Sequence, residues 1–355
     1  MDKFVKFSDI GQFRNIIKDV VHTAQYKGMD DDDNVIMDRT IKAPIVTFTG
    51  TVKLHGTNAG VGMTSDGKMW FQSRKNVITP EKDNAGFAFF ANSNAETFKS
   101  FFDNIRNDNT EIKDKNLVMF GEWCGGNIQK GVAINGLDKM FVIFNVKVVD
   151  EGEDSSNYYL TDDKVLMYKD NDNRIYNIHD FKKYSIDIDF ANPGLSQNKL
   201  IEITTEIEKE CPIGKAFGRK LDSDDDTTGE GAVWVGWYKG NRYVFKVKGE
   251  KHSVSKVKTL APIDTEKLNS IIEFVEYAVT ENRLNQAIEQ VFTVVSKTPD
   301  IRMTGDFLRW VVGDITKEES DTLSDNNLEP KDVNKHISLK ARDWFQNLLN
   351  KLAGI

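Results

Sequence analysis

The spacing of apolar residues changes along this chain, and each change predicts a different element. Ile10, Phe13, Ile16, Ile17 and Val20 recur at three- and four-residue intervals, and with Ser8 as a candidate N-cap they predict an amphipathic helix over residues 9–22. The next stretch, Tyr26 to Asn34 with Asp30 to Asp33 in a row, reads as a solvated loop. From Ile45 the period falls to two. IVTFTGTVKL, AGVGM and MWFQSR alternate around a Ser65-Asp66-Gly67-Lys68 turn and predict an antiparallel meander reaching Arg74. Further strands are expected over 117–123, 139–150, 231–238 and 242–249, with room for helices in the polar stretches between them. Past Pro262 the alternation stops. Leu268, Ile271, Ile272, Val275 and Val279 share a helical face over 264–279, Leu284 to Val295 repeats the pattern, and Val333 to Leu352 offers a third helix. The pattern therefore divides the chain into a mixed α+β domain over residues 1–259 and a small all-α domain over 260–355.

Composition narrows the function classes. The chain has 355 residues, 39% of them hydrophobic and 29% charged, and contains no apolar run near the ~20 residues of a membrane span. A soluble globular protein without a membrane partner is expected. Forty-seven basic against 55 acidic side chains give −8, so any polyanion must be held by a local patch. Lys246 to Lys258, with five lysines against one glutamate, is such a patch, and His252 lies within it. Asp224 to Gly229 reads as a surface loop. Cys124 and Cys211 have no metal-ligand spacing, which predicts free thiols in a reducing compartment. The opening MDKFVKFSDIGQF lacks the apolar core of a secretory signal, and a cytoplasmic location is expected.

One motif fails on inspection. Gly62 to Lys68 has the GxxxxGK spacing of a phosphate-cradling loop, but Met69 stands where a metal-binding Ser or Thr is required, and Asp66-Gly67 between alternating segments reads as a hairpin turn. The informative segment is Lys53-Leu54-His55-Gly56-Thr57-Asn58, where a lysine ends a strand and a glycine three residues later permits close backbone approach. Four other segments fall on strand ends in a matching order: Gln72-Ser73-Arg74, Phe120-Gly121-Glu122-Trp123, Phe144 within VIFNV, and Glu230-Gly231-Ala232-Val233 followed by Phe245-Lys246-Val247-Lys248.

Together these segments resemble the motifs of the covalent nucleotidyltransferase superfamily of polynucleotide ligases and RNA capping enzymes. Within it the chain most resembles the nick-sealing phage-type RNA ligases, the RNA ligase 2 family, through KLHGTN, FGEWCGG and a helical tail carrying Glu281-Asn282-Arg283. The resemblance implies a nucleotidyltransferase domain of antiparallel β-sheets with flanking helices, an ATP-grasp-like ligase core, followed by a small helical C-terminal domain that binds RNA. It implies ATP and Mg²⁺ or Mn²⁺ as cofactors, and as partner an RNA with 5′-phosphate and 3′-hydroxyl ends, in a monomeric enzyme that could be phage-encoded and act in a host cytoplasm.

By the same resemblance Lys53 forms a phosphoamide with AMP, Glu122 and Glu230 hold or orient the metal and the ribose, and Phe144 stacks on the adenine. Asn58 and Arg74 contact the adenylate or the 5′-phosphate, His55 serves the ligation chemistry, and Arg283 and Asp314 are the tail's candidate residues. Val52 departs from the pattern, since an acidic residue often precedes the nucleophile there. The chemistry is consistent with these roles. Lysine attacks phosphorus only as the neutral amine, and Lys246 and Lys248, on one face of a strand, supply positive potential that disfavours protonation of Lys53 and neutralises the pentavalent phosphorus. Hard magnesium prefers carboxylate oxygens, and a base needs an aromatic face. The expected reaction is ATP-dependent joining of RNA ends at nicks. The alternatives are a DNA ligase, disfavoured because no strand pattern exists for an OB domain, and a catalytically silent RNA-binding relative.

Overall fold

Alternating β-branched and aromatic residues form the strands that their period predicts in the computed structural model, which describes residues 4–31, 33–150, 157–219, 227–252, 263–293 and 298–353. In chain order the strands are β1 (Tyr26–Met29), β2 (Val35–Met37), β3 (Ile45–Val52), β4 (Thr57–Met63), β5 (Met69–Ser73), β6 (Val77–Ile78), β7 (Asn116–Cys124), β8 (Met140–Val149), β9 (Tyr158–Tyr159), β10 (Ile175–Asn177), β11 (Tyr184–Asp189), β12 (Gly231–Tyr238) and β13 (Asn241–Lys248). The larger sheet runs β10-β8-β7-β4-β5-β6 with β9 on β8, and a smaller one runs β11-β3-β12-β13. β4 lies antiparallel to β5 and β7, and β12 antiparallel to β3 and β13, whereas β10 is parallel to β8. The chain is thus α+β, with mainly antiparallel sheets and a helical C-terminal region.

The helices are α1 (Phe13–Gln25), α2 (Phe87–Ser93), α3 (Ala95–Asp108), α4 (Gln197–Lys209), α5 (Pro212–Ala216), α6 (Thr265–Ala278), α7 (Glu281–Ile288), α8 (Thr304–Glu318), α9 (Ser320–Asp325) and α10 (Pro330–Leu352). α2 and α3 cover one face of the larger sheet, where Phe87, Phe98 and Phe102 pack with Ala59, Val61, Met119 and Phe141, all fully buried. The other face carries a second cluster, Val5, Trp70, Val118, Phe120 and Val149, against which Phe7 and Phe144 pack. Through Phe7 and Phe144 that face reaches the wall of the site.

The chain forms two compact units. One comprises residues 1–16, 47–187 and 199–260, the other 17–46, 188–198 and 261–355. The second therefore contains more than the helical tail. Its helical core stacks Phe307 on Phe345 at 4.5 Å and Phe292 on Phe345 at 5.6 Å.

Four expectations change. The first helix begins at Phe13, because Val5 to Gly11 is extended and tied down elsewhere: Gln72 bonds both Val5 N (3.2 Å) and Val5 O (2.7 Å), and Ser8 N donates to the Tyr159 hydroxyl at 2.9 Å. Ser8 is no N-cap. Residues 26–34 are not simply a loop, since β1 pairs with β2 around a turn in which Asn34 N donates to Asp30 at 2.7 Å. Thr227 and Thr228 are buried rather than on a surface loop, Cys211 N bonding Thr227 O at 2.7 Å, while Asp224 to Asp226 lie outside the described residues. α8 and α9 add to the three helices expected in the tail. Gly305 and Gly313 lower the helix propensity of α8, and its buried Phe307, Leu308, Val311 and Ile315 outweigh that. The failed phosphate-loop motif is the β4-β5 hairpin, closed by Thr64 N to Lys68 O at 2.9 Å. No described helix is long and apolar enough to cross a membrane.

Candidate active site

Alternation on three strands of the smaller sheet sends one set of side chains to the same side: Thr49, Thr51 and Lys53 from β3 and its end, Val233 and Val235 from β12, and Arg242, Val244, Lys246 and Lys248 from β13. They line a cleft of about 390 Å³ whose other walls include Asn58, Glu122 and Phe144 of the larger sheet and Phe7 to Ile10 of the extended segment. Lys53 leaves the sheet where its N–H donates to Gly231 O at 2.8 Å, which fixes the lysine opposite the start of β12.

Glu230 is the centre of the site and only 2% exposed. Its Oε2 lies 2.5 Å from Lys53 Nζ and 3.1 Å from His55 Nδ1, and its Oε1 lies 2.6 Å from Lys248 Nζ. Burial alone would raise this carboxyl. The bonds from His55, Lys248 and Lys53 and the Lys53 charge outweigh it and hold Glu230 well below the usual carboxylate range. Gly231, at φ 139°, allows this approach, since a Cβ there would fall 2.2 Å from Val247 O. Lys246 is pushed down by burial and then by the Lys53 and Lys248 charges beside it.

Glu122 behaves oppositely. Desolvation raises it to about 7; Lys53 pulls it down and Glu230 pushes it further up. Its Oε1 accepts Gly56 N at 3.1 Å, a bond possible only without a side chain at 56, since a Cβ there would meet Trp123 O at 2.4 Å. Asn58 is paired with Glu122 in the β4-β7 ladder and faces the cleft with it. Phe144 is the extra residue of a bulge, where Phe120 pairs with Asn145 and Gly121 with Ile143. The bulge turns Phe144 into the cleft, half-buried and edge-on to Phe7 at 5.2 Å. Arg74 stands exposed at the cleft mouth, 3.6 Å from Asp9.

The structure thus gathers Lys53, His55, Asn58, Arg74, Glu122, Phe144, Glu230, Lys246 and Lys248 in one cleft. Arg283 and Asp314 are elsewhere, in the helical unit, and pair with each other at 3.1 Å, while Arg283 also bonds Glu319 at 2.8 Å and Ala278 O at 2.8 Å. The ring of His252 lies 6.2 Å from that of His55; the rest of the lysine-rich stretch, 253–258, falls outside the described residues. Sequence reasoning missed Phe7 to Ile10, Asp162, His179 and Arg242 as cleft residues. Arg242 was within reach of the pattern, since it continues the even-numbered face of Lys246 and Lys248, and it lies 4.9 Å over the Tyr159 ring.

Chemically, the lining suits an anionic group beside an apolar one. Lys53, Arg74, Arg242, Lys246 and Lys248 outnumber the carboxyls of Asp9, Glu122, Asp162 and Glu230, and an aromatic ring and aliphatic side chains line much of the remainder. Among the described residues no three His, Cys, Asp or Glu side chains form a metal cage. Magnesium sites do not require one, since the ion commonly takes one or two carboxylates and completes its shell with water and substrate phosphates.

Fold and site define a lysine-centred cationic cleft lined from two mainly antiparallel sheets. The RNA ligase family model matches residues 46–248, more than half the chain, and the chain belongs to that family. Among solved structures it is similar to Naegleria gruberi RNA ligase with PPi, at 16% identity and TM-score 0.43, over 71% of this chain and 58% of that one. Mutants of the same ligase solved with ATP and Mn and with AMP and Mn match at 15% identity and TM-score 0.42, with the same coverage. The chain therefore spans 58% of the length of these structures. A comparison with curated proteins found no match.

Proposed function

We propose that this protein is an ATP-dependent RNA ligase that joins a 3′-hydroxyl to a 5′-phosphate, acting at nicks in duplex RNA as a repair enzyme. The observation that carries the reading is the Lys53-Glu230-Lys248 contact set, in which a strand-end lysine is aimed into a cationic cleft by a buried carboxylate. Lys53 Nζ, after losing a proton, attacks the α-phosphorus of ATP; the new N–P bond displaces pyrophosphate. An oxygen of the RNA 5′-phosphate then takes the AMP and frees Lys53. The 3′-oxygen finally attacks the 5′-phosphorus, and AMP departs. Lys246 and Lys248 neutralise the charge that develops on the phosphoryl oxygens, His55 and Glu230 hold the amine in line, and Phe144 carries the base.

Glu230 and Glu122 would be the oxygen donors for a magnesium or manganese ion, which when bound would add positive charge against the phosphates. Residues 260–355 are assigned to grip on the duplex flanking the break. The decisive experiment is incubation with magnesium and α-labelled ATP. Label retained on the protein after denaturation is the expected result, and its absence would sink the reading.

A further inference from the structure

A second groove, of about 570 Å³, opens beside the cleft and is lined by Thr57, Ser73 to Ile78 and Lys82 to Asn84. Thr57 and Arg74 line both spaces, so the groove continues from the reaction site. Its walls are fixed by their own bonds. Ser73 N donates to Asn76 O at 2.8 Å, Lys82 N to Thr79 O at 3.0 Å, and Asn84 Nδ2 to Thr57 Oγ1 at 3.3 Å.

Its charge is one-sided. Arg74, Lys75 and Lys82 bring three cations. The carboxylate lining it, Asp83, is already taken up by backbone N–H groups of Asn84 (2.5 Å), Ala88 (2.7 Å) and Phe89 (2.9 Å). Among the described residues the ammonium groups of Lys75 and Lys82 have no ion-pair or hydrogen-bond partner. Two uncommitted ammonium groups, with the amides of Asn76 and Asn84, line a groove leading out of a phosphoryl-transfer site. That is the footprint of an extended polyanion rather than of a single phosphate. On the ligation reading the phosphates of ATP belong to Lys53, Lys246 and Lys248, whereas an RNA strand must continue beyond them.

We propose that this groove binds the phosphodiesters of the strand that carries the 5′-phosphate, holding the nucleotides that follow the reacting end. The inference rests on the ligation reading above. It is tested in the full chain with the double variant Lys75→Ala/Lys82→Ala, both positions being exposed, and with each step measured separately. Lysyl-AMP formation and its KM for ATP are expected to be unchanged. Transfer of AMP from the adenylylated protein to a single-stranded 5′-phosphorylated RNA, with no acceptor strand present, is expected to show KM raised about tenfold. Two lost contacts at roughly 0.7 each should make the salt dependence of that KM shallower by about 1.4 in log-log slope.

An unchanged KM and slope for AMP transfer would overturn the proposal. A raised KM for ATP would overturn it in favour of a triphosphate-tail site, and a defect confined to the final joining step in favour of the acceptor strand. Failure of the unsubstituted protein to form lysyl-AMP would instead refute the ligation reading on which the inference rests.

Discussion

Two clusters in this molecule use the same side-chain chemistry and do different things. In the cleft, Lys53, Lys248 and His55 converge on Glu230; in the helical unit, Asp314 and Glu319 converge on Arg283. Depth does not separate them, since Lys53 and Arg283 are 20% and 19% exposed. The ratio of charges does. Glu230 shared by two lysines leaves a local positive surplus on the cleft wall, whereas two carboxylates around one guanidinium leave a negative surplus and occupy its donors. Both clusters contain residues that the sequence resemblance marked as functional. The first turns its surplus toward the cleft, and in the second Arg283 is paired within the helical unit.

The strongest test of that contrast is removal of the amine. Lys53→Ala is expected to abolish covalent AMP labelling with an unchanged circular dichroism spectrum, and Lys53→Arg to be equally inactive because a guanidinium stays protonated at working pH. Residual labelling of Lys53→Ala would move the nucleophile elsewhere. Next in size is Glu230→Gln, which leaves Lys53, Lys248 and His55 without their shared carboxylate. Labelling is expected to fall by about 100-fold and to recover poorly with excess magnesium, because geometry as well as charge is lost. Near-normal labelling would show that Glu230 is a passive counter-ion.

The second cluster should respond in stability instead. Arg283→Ala breaks two charged hydrogen-bond pairs and strands Asp314 and Glu319 beside each other, an expected cost of about 2–3 kcal/mol. Chemical denaturation of the helical unit would read this, with lysyl-AMP formation unaffected. A variant of native stability that forms lysyl-AMP but fails to seal nicked RNA would return Arg283 to the substrate.

How much of this was legible in the sequence depended on where the partners of each residue lie. The strands were legible because alternation is local, and residues 231–238 form β12 to the residue. The cleft residues were legible because strand ends and shared strand faces bring Lys53, Glu230, Lys246 and Lys248 together. The extended segment from Val5 to Gly11 was not, since its conformation is set by Gln72, Tyr159 and Phe245, far along the chain. The bulge at Phe144 was hidden for the same reason, because only its pairing with β7 reveals the extra residue. The charge balance around Arg283 was hidden too. Its word ENR is local, but Asp314 and Glu319 come from the far end of α8 and the residue that follows it.

The smallest expected effect is a pH signature that separates the two carboxylates of the cleft. Glu122 is raised from 4.5 to about 7 by desolvation, so the folded protein holds this proton to higher pH than the unfolded chain. Between those values the folded state binds more protons. Its contribution to stability is therefore fully present below 4.5 and is lost as pH rises through about 7. Glutamine mimics the protonated form and still offers an oxygen to Gly56 N. In the metal-free protein, Glu122→Gln should match the unsubstituted protein near pH 5 and exceed it near pH 8, by about 1 kcal/mol after discounting for the solvent-facing part of the side chain. In a protein of this size that corresponds to a Tm difference of about 2 °C. Glu230, held low by its partners, predicts the reverse: its contribution persists across this range and is lost only in acid. A Glu122→Gln variant less stable than the unsubstituted protein by the same margin at pH 5 and at pH 8 would mean that Glu122 is charged and paired with Lys53. Glu122 would then add a further fixed negative charge beside Lys53, and the positive surplus that distinguishes the cleft from the Arg283 cluster would shrink.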